Sequence, residues 1–182
     1  LVITLLVFLL GIMIGTQISQ STSSQLQKDL EKLSSQTYVL ELLSQSGTGL
    51  CAFYESQVKE FDVETAEFGS KLDFLEKSRG SEDPQVIELK AQYSLKEVRD
   101  FLLLQRINNL CGKKFVLVLY FYSNKDCLQC RQQGYELTSA KQAMPEKIMV
   151  YSFDSDLDSP VVKALKQIYE VKSMPAIIVD GR

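Results

Sequence analysis

The first fifteen residues, LVITLLVFLLGIMIG, form an apolar run in which Thr4 is the only polar side chain. Such a run fits a membrane anchor, the hydrophobic stretch of a cleaved signal peptide, or a buried core helix. A core helix would show a polar face, and a cleaved signal would end in small residues of an Ala-x-Ala type. Neither feature stands out, and the polar stretch TQISQSTSSQ comes directly after. A spanning helix needs about 20 apolar residues. The run is shorter, but the sequence begins inside it and without methionine. The expectation is therefore a truncated transmembrane anchor over 1–15. Its orientation is not legible, because the flanking basic residues that would set it are missing.

From Ser24 the spacing becomes helical. Leu26, Leu30, Leu33, Thr37 and Leu40 recur four and three apart, an a/d seam with one polar member. Ser46-Gly47-Thr48-Gly49 ends it. A second helix is predicted from Leu50 to about Lys77, with Phe53, Tyr54, Val58, Phe61, Phe68, Leu72 and Leu75, closing at Arg79-Gly80. A third opens at Asp83-Pro84, a capping residue followed by proline at the first helical position. It runs through Val86, Ile87, Tyr93, Val98, Leu102 and Ile107 to Cys111, and Gly112 stops it. Residues 16–112 thus read as a helical, coiled-coil-like spacer, either a hairpin with one packed face or a dimerising coil. A seam of about two heptads does not choose between them.

The last third changes character. Phe115 to Tyr122 is continuously apolar, β-branched and aromatic, as expected of a strand buried on both faces. Ser123 to Asp126 break it, and Cys127-Leu128-Gln129-Cys130 open a helix reaching about Ala143. Ile148–Phe153 reads as a second strand, Ser159-Pro160 as the start of another helix, and Ala176–Val179 as a third strand. Alternation of this kind implies a sheet with parallel crossovers. Asp180-Gly181 then signals a hairpin turn, so a further strand is expected beyond Arg182.

Composition narrows the chemistry. With 45% hydrophobic and 24% charged residues, the chain is neither wholly disordered nor a multi-span membrane protein. A net charge of −3 gives no electrostatic support for nucleic-acid binding. Histidine is absent, which removes Ser-His-Asp and Cys-His catalysis and His-containing metal sites. Four cysteines remain, and two of them form Cys127-x-x-Cys130 where a buried strand hands over to a helix. There, unpaired N–H groups and the helix dipole stabilise a thiolate, the nucleophile of disulfide exchange. Half of a metal site and a merely structural disulfide are the competing readings. Cys51 and Cys111 lie near the start of one helix and the end of another. They fit a second, stapling disulfide or two unrelated small core residues, and Cys111 is also a possible exchange partner for the active pair. Asp154, Asp156 and Asp158 alternate without the glycine or later glutamate of a calcium loop, so a solvated loop capping the next helix is expected.

FVLVLYFYSNKDCLQC and SMPAIIVDG together resemble the thioredoxin-like superfamily over about Lys113 to Arg182. The resemblance implies that Cys127 is the attacking thiol, Cys130 the resolving one, and Pro175 a cis-proline beside them. This sequence departs from the usual pattern in three ways. Asp126 stands where tryptophan is common, Leu128-Gln129 where Gly-Pro is common, and Phe121 where many members carry a buried acid. The expected fold class is α/β: an incomplete thioredoxin-like βαβαβ domain over 113–182, preceded by the membrane helix and the helical spacer. The expected activity is thiol–disulfide exchange on protein cysteines, on the extracytoplasmic side of a membrane, with a redox partner protein. No cofactor and no metal is implied. A non-catalytic adaptor of the same fold, binding a partner through its helices, is the alternative.

Overall fold

The computed structural model describes residues 2–46, 49–112, 115–145 and 147–182. Leu1 of the apolar run, Gly47 and Thr48 of the first terminator, and Lys113 lie outside the described residues. The elements run α1 (Val2–Ser46), α2 (Leu50–Arg79), α3 (Pro84–Cys111), β1 (Val116–Tyr122), α4 (Leu128–Ala143), β2 (Ile148–Asp154), α5 (Pro160–Ile168) and β3 (Ala176–Val179).

The expected fold class is corrected. Helix accounts for 71% of the chain, and the sheet has three strands in the order β2-β1-β3. β1 and β2 are parallel, with Val118 opposite Val150, but β3 runs antiparallel to β1, with Phe121 opposite Ala176. Periodicity identifies a strand and not its direction. Here the nine-residue α5 and its turn bring the chain back to the sheet end it left, so β3 descends where a parallel strand was expected.

The N-terminal membrane helix is corrected as well. Among the described residues no helix is long and apolar enough to cross a membrane. Val2 to Gly15 are the first stretch of α1. They continue without a break into the polar-faced remainder of the 45-residue α1. The large apolar side chains from Val2 to Met13 that are described are exposed.

The seam read from spacing is buried within the chain. Leu26, Leu30, Leu33, Thr37 and Leu40 all face inward, and Leu26, Leu30 and Leu33 pack with Phe68, Leu72, Leu75, Val86 and Leu89 of α2 and α3. Each fully buried leucine contributes about 1.5–3 kcal/mol. Thr37 donates its hydroxyl to Asp100 Oδ1 at 2.7 Å, which satisfies the polar member of the seam. α3 starts where capping chemistry places it: Asp83 Oδ1 accepts from the backbone N–H groups of Gln85 and Val86 at 2.9 and 3.1 Å. It ends at Gly112, whose φ of 62° suits a residue without a Cβ.

The helices do not stand apart from the sheet. Leu40, Leu50, Tyr54, Phe101, Leu104 and Ile107 share one core with Leu117, Leu119 and Phe121 of β1, Tyr151 and Phe153 of β2, and Val162 and Leu165 of α5. Strand alternation divides the labour. Leu117, Leu119 and Phe121 enter that core, whereas Tyr120 and Tyr122 point to the other face. α3 also covers the free edge of β2, where Glu97 Oε1 accepts the Ser152 N–H at 3.4 Å.

Candidate functional site

β1 delivers the chain to the turn 123–126, and α4 begins immediately afterwards. Asp126 takes φ 51°, a left-handed conformation that aspartate tolerates better than most residues, and this reverses the chain into the helix. Cys127 is the N-cap of α4: its Sγ accepts the Cys130 N–H at 3.1 Å. Two further hydrogen bonds and burial hold Cys130. Its sulfur takes the Ser123 N–H at 3.5 Å, its carbonyl accepts the Tyr120 hydroxyl, and its side chain is buried. The two cysteines form a disulfide. Cys127 is the more exposed partner, at the helix end where backbone N–H groups favour negative charge on sulfur.

The disulfide opens into a cleft of about 1160 Å³. Its walls come from α4, from Tyr120 and Tyr122 of β1, from Ser152 and Asp154 of β2, and from the facing surfaces of α2 and α3. Tyr120 and Tyr122 stack with ring centroids 5.7 Å apart, and burial raises both hydroxyl pKa values above the ordinary tyrosine range. A neutral aromatic wall thus lies beside the cysteines.

Glu97 of α3 lines the same cleft and was not singled out by sequence reasoning. Its Oε2 is buried and meets no partner within hydrogen-bond geometry among the described residues, and burial pushes its carboxyl up to about 8 despite Lys96, the Ser152 N–H and the Tyr93 hydroxyl. Only the four-residue rhythm of α3, which turns Tyr93 and Glu97 toward the sheet, could have signalled it. Lys90 was missed in the same way, and Asp154 was read as part of a solvated loop. Lys90 is buried in ion pairs with Glu76 of α2, at 2.7 Å, and with Asp154. Asp154 is therefore a buried partner at the end of β2 rather than part of a solvated loop. Asp156 binds the turn before the cysteines, and Asp158 pairs with Lys163 on the surface. Among the described residues no group of three or more Cys, Asp or Glu side chains is placed to hold a metal ion.

Pro175 follows a cis peptide bond to Met174. Because Ala176 pairs with Phe121, Pro175 lies at the sheet end where the turn to Cys127 departs, on the β3 side of β1. Cys51 and Cys111 are joined to each other, tying the first turn of α2 to the last of α3. The seven-residue β1 spans about 20 Å between the Cys111 end of the sheet and the Cys127 end. That separation argues against direct exchange between the two pairs. No family model, curated protein or solved structure matches the chain.

Proposed function

We propose that the protein is a thiol–disulfide oxidoreductase that acts on protein cysteines through Cys127 and Cys130. The observation that carries this reading is the disulfide at the N-cap of α4, with one sulfur reachable and the other buried, at the floor of an open cleft. The motif-level resemblance to the thioredoxin-like superfamily supports it and belongs to the same proposal. The two disulfides favour an oxidising, extracytoplasmic compartment.

In the oxidised form a substrate thiolate attacks Cys127 Sγ. The Cys127–Cys130 bond breaks, Cys130 leaves as thiolate, and a mixed disulfide joins substrate to Cys127. A second thiolate of the substrate then attacks the substrate sulfur bonded to Cys127, and Cys127 leaves as thiolate. Substrate disulfide is released, and the two electrons remain on the protein as the dithiol. In reverse, the Cys127 thiolate attacks a substrate disulfide and Cys130 resolves the intermediate. A redox partner protein restores the starting form in either direction.

The test is a pair of substitutions. Cys127→Ser abolishes exchange with a small disulfide substrate, whereas Cys130→Ser accumulates mixed disulfides visible on non-reducing gels. Full turnover by the Cys127→Ser protein would overturn the reading.

A further inference from the structure

The turn that launches α4 is gripped from outside its own strand–helix unit. Asn124, in the turn ahead of Cys127, donates Nδ2 to Glu76 Oε1 at 2.9 Å and to Asp154 Oδ2 at 3.1 Å. Those same two oxygens accept from Lys90 Nζ. The Asn124 N–H and the Ser123 hydroxyl go to Asp156 at 3.0 and 2.8 Å. One ammonium from α3 therefore gathers a carboxylate from α2 and another from the end of β2, and both carboxylates hold the amide of the turn. A neutral amide cannot offset two converging negative charges. Without the ammonium, one carboxylate must take up a proton or swing away, because like charges this close repel. The grip on Asn124 would go with it.

We infer that Lys90 is a positioning residue for Cys127, acting through Glu76, Asp154 and Asn124. The helices are then part of the redox site, not only a wall beside it. The inference rests on the exchange activity proposed above. Its mechanical link is short: Asn124 fixes the turn, the turn fixes Asp126 and the N-cap, and the N-cap directs the Cys130 N–H at Cys127 Sγ. Loosening the turn weakens the donors that stabilise the Cys127 thiolate.

A mere packing role for Lys90 would leave the chemistry of Cys127 unchanged, so the readout is that chemistry. The reduced protein, with Cys51–Cys111 still joined, is alkylated with iodoacetamide across pH, and modification at Cys127 is followed by mass spectrometry. Asn124→Ala is the key variant, because Asn124 is exposed and neutral. Asp73, Glu76 and Lys77 of α2, Lys90 and Glu97 of α3, Asp154 of β2, and Asp126 and Arg131 beside the cysteine are all left in place by it. The expected result is an upward shift of the alkylation midpoint by about half a pH unit or more, with slower exchange. Lys90→Met shifts it in the same direction, Lys90→Arg restores most of the shift, and the double variant goes little beyond the larger single one. Should Lys90→Met fail to fold, Asn124→Ala and Lys90→Arg decide the matter. An unshifted midpoint in Asn124→Ala overturns the inference, even if Lys90→Met shifts through its lost charge. Absence of exchange in the unaltered protein would instead sink the activity, while the alkylation midpoints still report on the grip.

Discussion

Glu97 shows how one buried side chain shapes the behaviour of the molecule. Burial holds its carboxyl at about 8, against an ordinary value of 4.5. Between those values the folded chain keeps a proton that the unfolded chain releases. The stability tied to that proton is complete below the window and is lost as pH rises through it. Asp100, also raised by burial, acts with the same sign. The carboxyls held low by partners, such as Asp29 and Glu64, change stability only at lower pH. The unfolding free energy from urea melts should therefore fall between about pH 5 and pH 8.5, by an amount on the order of a few kcal/mol, and the midpoint with it. Glu97→Gln should flatten most of that slope. A midpoint that rises over this range would contradict the effect of burial. None of this was legible in the sequence, where Glu97 is one of many charged residues on a helix. Its partner strand lies 55 positions away.

At the level of elements, local signals are legible in the sequence and pairings are not. Asp83-Pro84 and Gly112 mark the ends of α3 because capping is decided by neighbouring residues. The leucine seam of α1 was legible because its spacing matches the helical turn. What covers that seam was not, since a dimer partner and the chain's own α2 and α3 leave the same pattern. The apolar N-terminal run misled for a related reason. Hydropathy reports the composition of residues 1–15 and not where their helix ends, and α1 runs on to Ser46. The antiparallel β3 and the Lys90–Asp154 pair depend on contacts far apart in sequence. So does Cys51–Cys111, whose two readings sequence alone left balanced. That disulfide closes a loop of 60 residues. Chain entropy assigns such a closure about 4 kcal/mol. Replacing both cysteines by serine should lower the denaturant midpoint accordingly while leaving exchange through Cys127 intact. A loss of exchange in a protein that remains folded would tie the second disulfide to the chemistry instead.

Across the whole molecule, one core runs from α1 through α3 to the sheet and α5. Ile107 lies fully buried within it, between helix and strand residues. Unfolding should therefore be a single event, with far-ultraviolet circular dichroism and tyrosine fluorescence giving coincident transitions. Ile107→Ala should shift both together, with the unfolding free energy lowered by about 2–5 kcal/mol. Separated transitions would mean that helices and sheet fold independently. The Cys127–Cys130 motif was the most legible part of the site, because a strand, a turn and a helix in succession place it at a helix end. The opposite wall of the cleft was not legible, because α2 and α3 reach it only through the tertiary fold.

The central claim is that Cys127 and Cys130 form a working redox couple, and a redox titration tests it most directly. The protein with Cys51 and Cys111 replaced by serine is equilibrated in glutathione buffers of graded ratio, then acid-quenched and its thiols counted by mass spectrometry. The account predicts one reversible two-electron transition between disulfide and dithiol, reached from both directions, in a protein that also turns over a disulfide substrate. A pair that stays locked in one state across the series, or cycles without any turnover, would contradict it and leave the domain as an adaptor.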